Sequence, residues 1–559
     1  MRTSRSVATA VALTLSAATL TACSSSSTGT KGGSGSTNAV TVLNVGMPNG
    51  PQTNNSNPFL GTSAGASLGY RYMIYEPLVM MNPIQPAAAG APWLATAFTW
   101  NSTYTSLALT IRTGVTWSDG TPMTPADVAY TFNLLKGNTA LNSNAIPFGD
   151  ITTAGNVVTV TFPSSQYVNQ TKILSTFIVP QHIWSKIANP ATDTDQNPIG
   201  TGPYTLKSFT AQTVTLERRS TYWQALPKVQ ELRYTSYNDN NSQTTALANG
   251  AAEWSFVFIP NAKAVYQAKD PAHNQLWFPP TLGVHGLWIN TQDAPFNNPV
   301  LRQAMAMVIN RNDILNQGEA GYFYPAVTNV TGIPTPSGSS FIASQYASQN
   351  YSVNPTAAKT LLTNAGFKYN GTTLEDPTGK PVTITLSDPA GWSDYITDLQ
   401  IIKDNLATIG ITATVDMANQ AAWTSNVDTG NFQAVLHWTN GGATPYDMYE
   451  NIMDGAIYKP VGTGGVAGNY GRFQDPAATA ALQQYANATD AATRTQALNT
   501  LEQIEVTQVP VIITMAANAG AEYSTKNWVG WPDAANPYAA PQPTLPTSLQ
   551  VVLHLTPAS

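Results

Sequence analysis

Apolar and polar positions alternate over residues 107–112, as in a half-buried strand, and Asp119-Gly120 comes after them as a turn signal. Thr124-Pro125-Ala126-Asp127 then supplies a capping threonine, a proline at the first helical position and an acid at the third. Val128, Phe132 and Leu135 share one face of the helix this opens, and Gly137 should end it. Asn298-Pro299 opens a second helix through Met307 and Ile309, and Asn354-Pro355 a third that stops at Gly366. Ser393 begins a fourth, in which Ile396, Leu399, Ile402, Leu406 and Ile409 keep helical spacing up to Gly410; strand-like residues 411–415 come next. Helices alternating with strands predict α/β lobes with mixed sheets, and no internal repeat is present.

The N-terminal pattern differs. Arg2 and Arg5 precede an apolar run over residues 7–20 that is too short to cross a bilayer, which predicts a secretory leader over residues 1–22. It ends in Leu20-Thr21-Ala22-Cys23, the pattern of a bacterial lipoprotein box in which the cysteine thiol takes diacylglycerol. Cys23 is the only cysteine, so it is the lipidation candidate and no disulfide can form within the chain. Residues 23–38 read as the lipidated cysteine and a flexible Ser/Gly/Thr tether. The chain from Ala39 onward is longer than one hydrophobic core usually organises. A net charge of −6 and the lack of a basic cluster argue against nucleic acid as a partner.

Tyr75-Glu76-Pro77-Leu78-Val79 and Pro92-Trp93-Leu94-Ala95-Thr96 precede the long string Ile111-Arg112-Thr113-Gly114-Val115-Thr116-Trp117-Ser118-Asp119-Gly120-Thr121-Pro122-Met123-Thr124-Pro125-Ala126-Asp127-Val128. Later come Gly200-Thr201-Gly202-Pro203-Tyr204, Tyr222-Trp223 with Pro227-Lys228, Asn290 with Pro295-Phe296-Asn297, Leu301-Arg302-Gln303-Ala304 and Asn310-Arg311. In that order the strings resemble the family 5 solute-binding proteins of ATP-binding cassette importers. The resemblance implies a periplasmic-binding-protein-like α/β fold of type II, with two hinged lobes plus an inserted third. Lobe I would comprise residues 39–74, 196–280 and 511–559, lobe II residues 75–195, and lobe III residues 281–510. It also implies an extracytoplasmic receptor, anchored through Cys23 in a periplasm or on a Gram-positive cell surface. Such a receptor would be a monomer that closes over a small solute and delivers it to permease subunits, with no cofactor and no enzymatic step.

The peptide-binding members hold a zwitterion, which needs an acid for the amine and a base for the carboxylate. Their amine-binding aspartate lies three positions after a tryptophan, where this chain has Gly441 after Trp438; near Pro389, where the carboxylate-binding arginine would fall, no arginine occurs. Asp447 remains a possible substitute. The segments around Trp392 and Trp438 resemble instead the oligosaccharide-binding branch. Aromatic faces cover the C–H face of a sugar ring while amides and hydroxyls serve its hydroxyl groups. Trp392 and Trp438 are therefore the leading ligand-binding candidates, with Asn440 and Tyr446 beside them and Trp254, Trp277, Trp288 and Trp423 as further candidates, each weighed against service in the core. An oligopeptide receptor is the alternative function.

Other motifs carry less. Two overlapping G-x-S-x-G strings place Ser63 and Ser67 as nucleophiles of a lipoprotein hydrolase, but neither comes after a strand-like run. Gly462-Thr463-Gly464 lacks the preceding strand of a dinucleotide site. His182, His273, His285, His437 and His554 show no local ligand spacing, so no metal site is expected.

Overall fold

In the computed structural model, which describes residues 41–558 apart from Ala87, the alternating segment is strand Ser106–Ile111, with Leu107, Leu109 and Ile111 buried. The leader of residues 1–22, Cys23 and the tether to residue 38 lie outside the described residues. Helix Pro125–Gly137 forms as its capping residues require, the Thr124 N–H donating to Asp127 Oδ2 at 2.8 Å. The helices at Pro299–Ala306, Pro355–Asn364 and Ser393–Ala407 start at the expected caps. The first ends three residues short of Ile309, because the chain turns at Met307 to Asn310 into a new cap for Arg311.

Three larger sheets result. The first has seven strands in the order Asn274–Trp277, Ala521–Ser524, Trp254–Ser255, Val42–Met47, Glu231–Ser236, Thr213–Arg218, Tyr204–Phe209. Its centre is parallel and its flanks antiparallel. Ala95–Trp100, Ser106–Ile111, Val157–Thr161 and Ile151–Ala154 make an antiparallel sheet of four. A five-stranded mixed sheet runs Thr412–Ala418, Thr383–Pro389, Ala434–Trp438, Pro280–Ile289, Val511–Asn518.

The five-stranded sheet is covered on both faces, which explains its near-continuous apolar strands. Leu287, Leu386, Leu436 and Ile512 pack toward helices Pro299–Ala306 and Ser393–Ala407. Trp288, Val435 and Ile513 pack toward helices Tyr446–Met453 and Ala491–Gln508. Val511–Asn518, beyond the expected boundary at residue 510, pairs with Pro280–Ile289, because its buried apolar run completes this sheet before the chain returns. The two crossings to the seven-stranded sheet run side by side, with the Ala519 N–H donating to the Pro279 carbonyl at 3.0 Å. A Cβ on Gly520 would lie 2.3 Å from the Phe278 ring, so glycine permits this approach.

The conspicuous sequence strings converge on buried charges. Glu76 is fully buried and accepts from Trp93 Nε1 (2.7 Å), the Tyr222 hydroxyl (2.6 Å) and Trp223 Nε1 (3.0 Å). The Arg219 guanidinium donates to the carbonyls of Trp117 (2.7 Å), Thr201 (3.1 Å) and Gly202 (3.1 Å). Gly200 and Gly202 lie against the carbonyls of Ile74 and Met73, where a Cβ would approach within 1.9 and 2.3 Å. Arg302 donates to the carbonyls of Phe296 (2.6 Å), Gln508 (2.6 Å) and Val509 (2.9 Å), tying its helix to the end of helix Ala491–Gln508.

Removing the Arg302 guanidinium strands those buried carbonyls, so Arg302→Ala should cost about 3 kcal/mol in urea unfolding, and an unchanged midpoint would contradict that role. A second expectation concerns pH. Burial raises the carboxyl of Asp394 to about 6 and drives those of Glu319, Asp388, Asp398, Glu505 and Glu522 well above the usual carboxylate range. A carboxyl whose pKa is raised by folding binds its proton more tightly in the folded chain, so stability falls as pH rises through that window. His285 and His437, pushed down by burial to about 3 and about 4, oppose this but are fewer. The Tm should therefore rise on going from about pH 7.5 to about pH 5.5, and a calorimetric scan with a falling Tm would refute the balance.

Candidate functional site

Strand Ala434–Trp438 ends at a tryptophan that is 40% exposed, unusual for so large an apolar ring. Its exposure has a structural basis. The strand pairs with Pro280–Ile289, His285 standing opposite Trp438, and the chain then leaves the sheet through Thr439, Asn440, Gly441 and Gly442. Thr439 still holds the register, its N–H donating to the Val284 carbonyl at 2.8 Å and its hydroxyl accepting the Val284 N–H at 3.0 Å. Beyond it the segment lines a cavity of about 540 Å³.

The cavity lies where all three larger sheets' regions meet. Met81, Gln85, Thr171 and Ser175 come from the region around the four-stranded sheet. Asn240, Phe256 and Gln542 come from the region of the seven-stranded sheet, and Ala517 to Ala519 belong to the second crossing. The ring wall is built on the five-stranded sheet. Trp392 caps helix Ser393–Ala407 and lies 6.1 Å from Trp438, while Tyr324 and Tyr395 continue the aromatic surface. Trp438 stacks at 4.2 Å on His437, fixing its plane. Tyr324 lies 4.0 Å from His285, whose Nδ1 is hydrogen-bonded to the Tyr395 hydroxyl. Burial, with His437 nearby, lowers the His285 pKa to about 3, so this imidazole is neutral.

The eight sequence candidates separate by position. Trp392, Trp438 and Asn440 line the cavity, and the Asn440 N–H donates to Asn451 Oδ1 at 2.6 Å. Trp423 is buried behind them, 5.0 Å from Trp392 and stacked on His437, with its Nε1 donating to the Ser387 carbonyl. It supports the ring wall and does not form it. The other four candidates stand outside the cavity lining. Trp254 is fully buried, its Nε1 donating to the Pro541 carbonyl at 2.7 Å and its ring set against Trp531. Trp288 is fully buried on the far face of its sheet, bonded to the His437 carbonyl, since strand alternation turns it from the cavity. Trp277 packs on the core of the seven-stranded sheet. Tyr446 is buried against Tyr485 at 5.2 Å, its hydroxyl donating to Glu450 Oε1.

Neither of the ion-pairing groups of a peptide receptor stands at its expected place. Gly441 lines the cavity and carries no carboxylate; a Cβ there would meet the Gly283 nitrogen at 3.1 Å. No lysine or arginine lines the cavity among the described residues. Asp447, the possible substitute, is buried behind cavity-lining Gly442 and faces Lys172 Nζ at 3.5 Å. Among the described residues, the one carboxyl in the lining is Asp394, in the first turn of helix Ser393–Ala407. Sequence reasoning missed it although it is close to Trp392. Tyr324, Tyr395 and His285 were missed as well, because only tertiary contact brings them together. Ser63, the hydrolase candidate, is fully buried and accepts the Ala66 N–H at 3.2 Å as a helix cap.

Known proteins share this architecture. A family model described as bacterial extracellular solute-binding proteins, family 5 middle, matches residues 90–459. The glutathione-binding protein GsiB of Salmonella paratyphi A is 28% identical over 332 residues, which cover 58% of this chain and 60% of that relative. An oligopeptide ABC transporter periplasmic binding protein of Thermotoga maritima superposes with a TM-score of 0.84 at 24% identity, over 93% of this chain and 99% of that one. Its mannohexaose-bound form gives 0.80 at 24% identity, over 92% and 98%. The oligopeptide-binding protein AppA of Bacillus subtilis, in complex with a nonapeptide, gives 0.73 at 19% identity, over 93% and 99%. With residues 90–459 inside that family model and the same architecture in these structures, the chain belongs to the bacterial extracellular solute-binding proteins of family 5.

Proposed function

We propose that this protein is the extracytoplasmic, lipid-anchored receptor of an ABC importer, and that it captures an oligosaccharide between its lobes for delivery to the membrane permease. One observation carries the reading: a cavity of about 540 Å³ at the meeting of the three regions is walled by Trp392, Trp438, Tyr324 and Tyr395, with amides and hydroxyls between them and no lysine or arginine among the described residues. Ring faces suit the apolar face of a sugar, and amides satisfy its hydroxyls without charge. The mannohexaose held by the Thermotoga maritima relative supports this choice. Oligopeptide capture is the second reading, favoured by the nonapeptide bound to AppA; a peptide carboxylate would here have to find backbone N–H groups, since the lining offers it no cation.

Closure brings the inserted region onto the opposite lobe. Lys172, next to cavity-lining Thr171 on helix Gln170–Leu174, reaches Asp447 at 3.5 Å and Glu450 at 3.7 Å on helix Tyr446–Met453. Nearby, the Arg494 guanidinium covers the Tyr167 ring at 3.9 Å. A solute that touches both walls shifts the open and closed populations by its differential affinity for the closed form. The Lys172 contacts add to that same form, modestly, because the lysine is partly exposed.

Titration calorimetry against cello-, xylo-, malto- and manno-oligosaccharides and a tripeptide library tests the ligand class; tight peptide binding without any sugar response would end the saccharide reading. With the responsive sugar, Trp438→Ala should weaken binding by about 2 kcal/mol, roughly thirtyfold, while the buried Trp254→Phe should alter stability and leave affinity nearly unchanged. Lys172→Ala should weaken it by about two- to fivefold and enlarge the free protein in small-angle scattering, as expected when the closed fraction falls. Unchanged affinity and size would remove the ion pair from the closure.

A further inference from the structure

The cavity holds one feature that a wholly neutral guest leaves uncompensated. Asp394 is 8% exposed, lines the cavity, and has an Oδ1 with no hydrogen-bond partner. Behind it lie Glu319, Asp398 and Asp388, all fully buried. Glu319 and Asp398 face each other within hydrogen-bonding reach, as two carboxyls sharing a proton can, and Oδ1 of Asp388 lacks a partner. None of the four acids takes part in an ion pair among the described residues, and no lysine or arginine lines the cavity. Each of the three rear acids feels Asp394 as a like charge, which raises its hold on a proton.

We propose, resting on the saccharide reading above, that Asp394 is the counter-charge for a protonated amine, so that the solute is an oligosaccharide carrying amino sugars. Three properties of the site converge on a cation. Asp394 stands in the first turn of a fifteen-residue helix, where the aligned peptide dipoles favour its ionised form despite burial. The rings of Trp392, Trp438, Tyr324 and Tyr395 share its cavity, and ring faces attract a cation as readily as they cover an apolar sugar face. The acids behind it hold their protons tightly because they are buried, which leaves Asp394 as the charged carboxyl of the group, with no lysine or arginine in the described lining to answer it. An ammonium group in the cavity answers the Asp394 carboxylate with the opposite charge; a neutral hydroxyl can donate to it but cannot. A zwitterionic peptide would bring a carboxylate into the same cavity, which the absence of a base penalises. A saccharide amine brings the positive charge alone.

The test uses the folded chain and three trimers of equal length: cellotriose, the glucosamine trimer and the N-acetylglucosamine trimer, titrated slightly below neutral pH so that the free amine is protonated. The glucosamine trimer should bind at least about tenfold more tightly than either neutral trimer. Asp394→Asn, nearly isosteric, should bring the three affinities together, and Asp394→Glu should restore part of the preference. Equal affinities in the unaltered protein would overturn the proposal without any variant being needed, as would tightest binding of the N-acetylated trimer, or a glucosamine preference that survives Asp394→Asn. Cellotriose separates the two levels: if it binds and the amine adds nothing, the amine subsite fails and the saccharide reading stands. If no trimer binds while tripeptides do, both fail.

Discussion

A carboxylate and a guanidinium buried at the root of the inserted region hold the molecule's parts in register. Burying either charge alone would cost several kcal/mol, so each must be saturated by nearby donors or carbonyls. Glu76 collects the indole N–H groups of Trp93 and Trp223 and the hydroxyl of Tyr222, while Arg219 collects carbonyls from Trp117, Thr201 and Gly202. These partners lie far apart in the chain, in the regions of the seven-stranded and four-stranded sheets and on the segments that join them. Satisfying two charges therefore fixes the junction on which the upper wall of the cavity depends. The conspicuous strings of the sequence owe their character to this network and to close backbone approach at Gly200 and Gly202, not to contact with a ligand.

That junction sets the geometry of capture. The inserted region presents helix Gln170–Leu174 to the five-stranded body, and the two crossings, bonded to each other through Ala519 and Pro279, form the floor between them. A crossing of two adjacent strands can bend with little loss of packing, whereas the doubly covered sheet beside it cannot. On the proposed reading, the walls keep their packing while this floor bends. The ring wall is rigid for its own reason: Trp423, bonded to the Ser387 carbonyl, and His437, stacked under Trp438, leave the exposed rings little freedom to rotate. Preorganised rings lose less entropy when a ligand arrives.

Charge is distributed unevenly between scaffold and cavity. Structural charges such as Arg302, Arg311 and Arg219 are bonded to carbonyls. Among the acids beside the cavity, Asp388 accepts the Leu436 N–H through Oδ2, Glu319 and Asp398 face each other, and Asp394 is the one in the described lining.

Much of this was legible in the chain before folding. Proline after Asn298 and Asn354 and the Thr124 capping box set helix starts, and alternation over Leu107, Leu109 and Ile111 set a strand, because capping and burial period are local properties. Order of the strings was enough for family and fold. Trp438, Trp392 and Asn440 were named from the sequence as candidates, and all three stand in the cavity lining. What sequence could not decide was facing. Trp254 and Trp288 are as aromatic as Trp438, yet one Nε1 meets the Pro541 carbonyl and the other the His437 carbonyl, in a core that only strand pairing creates. Val511–Asn518 reads equally well in either body until its partner Pro280–Ile289 is in place. The cavity itself unites residues from Met81 to Pro546, and Asp394 gains its meaning from Glu319 and from the lack of a lysine or arginine in the described lining. Those are relations between distant segments, and only the closed packing of the whole chain determines them.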